Sequence, residues 1–399
     1  MNILYICDEY PPGRHGGIGT AVQLLARQMA KLGHNVVVAG YYDWGYEGLN
    51  EFTDNGVKVY RFRRKLSSGL FSKPNALTTR VAYRFLKSSG VFQWDINISL
   101  KRYHHFLENI IAKHKIDIAE VPDYHDYMRF CTTYTPFPAL SVPTVVRLHG
   151  SITYFSREAG IQPPAYVRQM ERELLLQASG VFSVSRYTAQ KTAEYLEVGK
   201  NIDVIYNGID TRTAINAEKV PGRVIFTGSL AHKKGIYQLM QAWNTVYKQV
   251  PGAVLEIYGK GPVKKIKRFL TRDAKNSVRF NGHVSRSDLM TALAQANVAV
   301  FPSFAETFGL AALEAMACGT AVIFTNRTSG PEVVEDGKDG LLVDPANIVD
   351  IANKLCLLLK NKELCTQLAE NGRQKAQEKF DIVHIANQHL AYYNRFVTV

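Results

Sequence analysis

Asn2-Ile-Leu-Tyr-Ile-Cys7 is a short β-prone apolar run, and the glycine-rich turn and helical segment after it decide the fold. Gly13, Gly16, Gly17 and Gly19 come next, then Ala21–Leu32 with apolar residues at 21, 22, 24, 25, 29 and 32. That spacing has the period of a helix, and Gly33 ends it. Asn35–Ala39 is a second β-prone run. Strand, glycine turn, helix and strand make a βαβ unit, which implies a parallel sheet covered by helices. The alternation continues through strands at 116–121, 144–148, 180–185 and 202–206, with helical segments at 166–177 and up to Leu196. A second βα series starts after Asn207-Gly-Ile-Asp210, with short strands at 224–226, 254–258, 278–280, 298–301, 321–324 and 340–343. The reading is α/β: two doubly wound Rossmann-like domains, 1–206 and 207–380, facing across a cleft. A terminal helix over 381–399 is expected to pack back on the first domain. Ligands in such sheets bind beyond the carboxyl ends of the strands.

The 399-residue length suits two such domains, and 46% hydrophobic with 21% charged residues is the composition of a globular enzyme. No apolar run approaches the roughly 20 residues of a membrane span, and the N-terminus reads as a strand, not a signal peptide. The five cysteines (7, 131, 318, 356 and 365) are scattered without metal or redox spacing, which favours a cytoplasmic setting. The net charge of +13 is concentrated. Nine basic and no acidic residues lie between Lys58 and Lys87, and eight basic residues face only Asp273 between Lys260 and Arg279. Solvated faces explain such runs. For 58–87 the functional reading is an anionic membrane surface, helped by Leu70 and Phe71. Nothing in the sequence has the signature of a nucleic-acid binder.

Four places carry chemistry. Gly16-Gly17-Ile18-Gly19 opens a helix after the first strand, where backbone approaches a ligand closely and the helix N-terminus favours an anion. The spacing is not that of the Gly-x-Gly-x-x-Gly fingerprint, so a plain tight turn stays open. Gly228-Ser-Leu-Ala-His-Lys-Lys234-Gly235 places a lysine at a helix start, suited to a diphosphate; a solvated turn is the alternative. His149-Gly150 lies at the carboxyl end of a strand, with Arg147 and Asp123 at comparable positions, although a lone histidine is often structural. Glu306-Thr-Phe-Gly-Leu-Ala-Ala-Leu-Glu314 puts one carboxylate before an apolar helix and one inside it. A carboxylate turned toward a core needs donors, and ribose or sugar hydroxyls supply them.

The chain resembles family 4 of the retaining glycosyltransferases, which have the GT-B fold. The resemblance rests on Gly16-Gly17, His149-Gly150, Ser183-Val-Ser185, Asn207-Gly-Ile-Asp210, Gly228 through Gly235, Gly259-Lys-Gly261, Phe280-Asn-Gly282, Glu306 with Glu314, and Gly330-Pro-Glu332 leading to Asp344. The two glutamates in this order are the specific element. The resemblance implies a nucleotide-sugar donor, with a UDP-sugar first and GDP-mannose second. The acceptor would be a hydroxyl on a glycan or lipid-linked glycan. Glu306 would hold hydroxyls of the donor sugar and Glu314 the ribose. Phe308, Gly309 and Leu310 would offer backbone amides to phosphate and sugar. Lys234 would neutralise the diphosphate, Gly17 would lie near it, and His149 would contact the donor sugar. Val284 would belong to the base-binding segment. The family often has arginine directly after the glycine of the diphosphate loop; here it is Ser229. The missing charge would come from Lys233, His232 or Arg147. No Asp-x-Asp motif is present, so neither metal nor cofactor is required by this reading. An epimerase or hydrolase of the same fold, or a weakly active binding homologue, are the alternatives.

Overall fold

The computed structural model describes residues 1–13, 15–42, 48–63, 89–213, 215 and 217–397. They cluster into two compact units: Met1–Gly208 with Ile385–Val399, and Ile209–His384.

The first unit is built on an eight-stranded sheet: β1 (Asn2–Ile6), β2 (Asn35–Tyr42), β3 (Glu51–Asp54), β4 (Val57–Arg63), β5 (Ile118–Pro122), β6 (Thr144–Leu148), β7 (Gly180–Ser183) and β8 (Asp203–Val204). The strand order is β3-β4-β2-β1-β5-β6-β7-β8. Every pairing is parallel except β3 with β4. The chain turns from one side of the sheet to the other between β1 and β5, so the loops after these strands lie at a switch point. The first helix runs Gly17–Lys31, four residues earlier than the periodicity indicates, and takes two of the glycines into its first turn. Close packing explains this: a Cβ on Gly19 would lie 2.0 Å from the Glu9 carbonyl oxygen. Ala21, Val22, Leu25, Ala26 and Met29 form its buried stripe.

Part of the 58–87 stretch turns inward, against the expectation that it forms a free basic face. Val57–Arg63 is strand β4. Arg61 is 3% exposed, its guanidinium donating to the carbonyls of Tyr10 (3.0 Å) and Pro12 (2.7 Å). It also lies over the rings of Tyr42 and Phe52. Arg63 donates to the Asn50 side chain and to the Gly48 carbonyl. The remainder, 64–87 with Leu70 and Phe71, lies outside the described residues.

A polar knot sits inside this unit. Glu120 on β5 is buried and accepts from Arg147 on β6 (3.2 Å) and from the Tyr393 hydroxyl on the C-terminal helix Ile382–Tyr393. His389 Nδ1 is 3.5 Å from the same carboxylate. Arg147 also donates to Asn207 Oδ1 at 2.6 Å. Burial alone would raise the Glu120 pKa; Arg147, His389 and Tyr393 reverse that and hold it at about 2.

The second unit has a six-stranded all-parallel sheet: β9 (Arg223–Thr227), β10 (Val254–Tyr258), β11 (Val278–Gly282), β12 (Val298–Phe301), β13 (Ala321–Thr325) and β14 (Leu341–Val343), ordered β11-β10-β9-β12-β13-β14. Strands buried on both faces read as continuous apolar runs, as Val298–Phe301 and Ala321–Thr325 do. Helices Ile236–Gln249 and Ile348–Lys360 pack together over one face. Trp243 is wholly buried there, with its indole N–H on Ser277 Oγ at 2.9 Å. Here the switch point falls between β9 and β12.

Glu120→Gln would leave Arg147 buried beside a neutral amide, at a cost of about 3–5 kcal/mol. The sign with pH comes from the depressed pKa. Stabilisation by Glu120 is complete above its ordinary value of 4.5 and is lost as pH falls toward about 2. Urea denaturation should show a lower midpoint for the variant at neutral pH and a smaller difference from wild type at pH near 2; equal midpoints at neutral pH would contradict the account.

Candidate functional site

The loops after β9 and β12 make the site in the second unit. Three successive turns are stitched together by backbone. Gly228 N–H donates to the Tyr258 carbonyl (2.9 Å), Leu230 N–H to Lys260 (2.9 Å) and Gly259 N–H to Gly282 (2.6 Å). Gly259 has φ 144°, and a Cβ there would lie 1.8 Å from the Gly228 carbonyl oxygen. The β9 loop ends in a 3-10 turn, His232–Lys234, and then Gly235 at φ 69°. A Cβ on Gly235 would be 1.8 Å from the Pro302 carbonyl oxygen, so only glycine lets the two loops touch. The Lys233 carbonyl accepts from the N–H groups of Phe304 (2.8 Å) and Ala305 (3.3 Å).

This register brings Lys234 Nζ onto Glu306 Oε2 as a partly buried ion pair. The sequence assigns one of these groups to a diphosphate and the other to a sugar; the fold puts them in direct contact. His232 stacks on Phe304 (5.2 Å between centroids). Arg327 lies over the same ring and pairs with Asp344 at 2.8 Å. Burial, together with Lys234, lowers the Lys233 pKa, with Glu306 working in the opposite direction.

Beyond Glu306 the chain enters the helix Leu310–Ala317, capped by Gly309 at φ 104°. Phe308 is buried against Phe380, and the Ser329 hydroxyl donates to the carbonyls of Phe308 (3.1 Å) and Glu306 (3.3 Å), which fixes the approach to the helix. Glu314 is 7% exposed, not a solvent-facing residue. Its Oε1 pairs with Arg286 Nη1 at 2.7 Å. Arg286 opens the helix Arg286–Gln295, two residues beyond Val284, and belongs to none of the sequence motifs. Ser229 is exposed in the β9 loop and Val284 is half-buried after β11.

The remaining candidates belong to the first unit. His149 follows β6 and is held by Asp123, whose two carboxylate oxygens accept from the N–H groups of His149 (2.8 Å) and Gly150 (3.1 Å). Burial raises Asp123 to about 7 although these bonds oppose it. Glu171 accepts from Ser151 Oγ and from the N–H groups of Ile152 and Thr153, securing the next turn. Burial and Arg147 push the His149 pKa well below its ordinary value, so its imidazole is neutral near pH 7. At the first glycine turn an internal anion is already present. The Glu9 carboxylate accepts from Gly16 N–H (3.1 Å) and Gly19 N–H (3.0 Å). Those amides, which the sequence leaves open to a phosphate, are engaged by Glu9, whose pKa burial raises. Gly17 is exposed, with nothing within 4 Å of a Cβ placed on it.

Two family models match in tandem: Glycosyltransferase Family 4 over residues 15–213 and Glycosyl transferases group 1 over residues 210–375. The chain belongs to the glycosyltransferase family that they describe. It is 26% identical over 405 residues to the glycogen synthase of Mycobacterium tuberculosis, covering 96% of this chain and 91% of that protein. Its fold is GT-B. A sucrose-phosphate synthase from Thermosynechococcus elongatus has a TM-score of 0.76 at 19% identity, over 99% of this chain and 98% of its own. The Anabaena protein HepE, solved in complex with UDP and glucose, has a TM-score of 0.70 at 17% identity, over 99% of this chain and 100% of its own.

Gly235→Ala should cost about 1–3 kcal/mol from its left-handed backbone alone, and its methyl would part the two loops. The expected readout is a lower melting temperature together with weaker nucleotide binding. Unchanged values of both would show that the contact with Pro302 does not set the site.

Proposed function

We propose that the chain is a retaining hexosyltransferase that moves a sugar from a nucleoside diphosphate, a UDP-sugar in first place, to a hydroxyl of a glycan or lipid-linked glycan. The observation that carries this is the Lys234–Glu306 pair at the β9/β12 switch point of a glycosyltransferase chain. The complex of HepE with UDP and glucose supports the choice of donor.

In this reading the bond from the anomeric carbon to the β-phosphate oxygen breaks, and the diphosphate leaves with the electron pair. The acceptor oxygen bonds to the same face of that carbon, and its proton passes to the departing phosphate. Lys234 and the amides at Phe308, Gly309 and Leu310 meet the developing negative charge; fixed donors of this kind are worth about 10²–10³ each in rate. Glu306 accepts from sugar hydroxyls and Glu314 from the ribose. The resemblance would give His149, which burial and Arg147 keep neutral, a contact to the transferred sugar that adds no cation, and Gly16 and Gly17 a place by the diphosphate.

The charge missing at Ser229 is assigned to Lys233. Arg147 is committed to Glu120 and Asn207, and His232 is stacked on Phe304. No metal is needed for this chemistry, because Lys234, Lys233 and the helix terminus supply the positive potential. The five cysteines are buried and none is in a disulfide, which suits a reducing, cytoplasmic setting. No described helix is long and apolar enough to cross a membrane.

Lys234→Ala and Glu306→Ala should each lower transfer by about 10²-fold or more, while both variants still fold and unfold in one cooperative transition. The assay is release of nucleoside diphosphate from UDP-glucose and related donors, with and without an added glycan acceptor. Release that ignores the acceptor would identify a hydrolase, no release with a converted sugar an epimerase, and full turnover by both variants would sink the assignment.

A further inference from the structure

The crossover between β10 and β11 has a sidedness of its own. Residues 260–279 leave the end of β10, pass through the helix Val263–Ile266 and two 3-10 turns, and enter β11. Ile266, Leu270, Ala274 and Val278 are buried in the core of the second unit. The roughly four-residue spacing of these anchors turns the charged residues between them outward. Two hydrogen bonds pin the crossover to the helix Ile236–Gln249: Asn244 Nδ2 to the Phe269 carbonyl (2.9 Å) and Thr271 N–H to Asn244 Oδ1 (2.8 Å).

Eight of the outward residues are cations. Lys260, Lys264, Lys265, Lys267, Arg268, Arg272, Lys275 and Arg279 are exposed, and Asp273 is the one acid in the segment. Arg279 pairs with Glu256 at 3.4 Å. The other seven form no ion pair with a carboxylate among the described residues. A surface that existed only for solubility would intersperse both signs. Among the cations stands Phe269, 37% exposed, its ring edge-on to Tyr237 at 5.2 Å. The ammonium groups of Lys265 and Lys267 lie over the rings of Tyr237 (5.8 Å) and Phe280 (5.2 Å), so cations and aromatic rings share this face.

We propose that this face docks the protein on an anionic lipid bilayer. Unpaired lysines and arginines supply long-range attraction to acidic headgroups, and Phe269 supplies an apolar tip at the headgroup level. A soluble polyanion would be served by the charge alone and gives no reason for an exposed phenylalanine at its centre. Each basic residue held near an acidic membrane contributes roughly a fivefold gain in partitioning. The proposal is independent of which donor and acceptor the enzyme uses.

The test is cosedimentation of the full chain with phosphatidylcholine vesicles containing none or about 30 mol % phosphatidylglycerol, at low and high salt. Wild type should bind the acidic vesicles at low salt and not the neutral ones. Lys264→Glu, Lys265→Glu, Lys267→Glu and Arg268→Glu combined should lower partitioning at least tenfold with an unchanged melting temperature. Phe269→Ser alone should lower it several-fold. If the fourfold variant does not fold, Arg272→Glu with Lys275→Glu should still give a clear loss. Binding that survives these changes, no binding by wild type, or binding to heparin without binding to acidic vesicles would each overturn the proposal.

Discussion

The donor-side site depends on one close approach, that of Gly235 to the carbonyl of Pro302. The loops after β9 and β12 leave neighbouring strands at the point where the sheet order reverses. With no Cβ at 235 they meet backbone to backbone, and the Lys233 carbonyl takes two amides of the partner loop. That contact sets the register in which Lys234 reaches Glu306. Ser329 then holds the carbonyls of Glu306 and Phe308, so the helix carrying Glu314 starts from a fixed point. The ion pair is a result of this backbone geometry more than a cause of it.

The site is electrically compensated. Glu306 is matched by Lys234 and Glu314 by Arg286. A buried unpaired carboxylate would cost several kcal/mol, so these partners keep the acceptor groups in place without ligand. The same logic appears in the first unit, where Glu9 serves the first glycine turn, Asp123 and Glu171 the turns around His149, and Glu120 the C-terminal helix. On the proposed function, a donor would compete for groups already engaged, with Lys234 shared between a carboxylate and an incoming phosphate.

Much of this is legible in the chain. Periodicity locates the parallel strands of both sheets except β4, because strands buried on both faces are short apolar runs punctuated by glycine. Lys234 and Glu306 stand out by their places at a helix start and a helix mouth, and the fold brings them together. Other features are hidden for physical reasons. The hairpin of β3 and β4 is masked by charge: Lys58, Arg61 and Arg63 read as a basic face, yet Arg61 is a buried donor to carbonyls. The long helix Val91–His114 buries Gln93, Asp95 and Ser99 on its inner side, which blurs its apolar stripe. Arg286 cannot be found by spacing, since it meets Glu314 only through the packing of two helices on the sheet. The Glu9 cap spans a turn whose local signal is glycine alone; an acid seven residues before Gly16 is the available clue.

At the centre of this account, Lys234 is held by Glu306 until a diphosphate takes it. Isothermal titration of UDP into wild type and Glu306→Gln tests this directly, because UDP carries the phosphates but no sugar for Glu306 to hold. Removing the competing charge should tighten UDP binding several-fold and steepen its salt dependence, while transfer from UDP-sugars collapses. UDP binding that weakens or stays the same in Glu306→Gln would contradict the account.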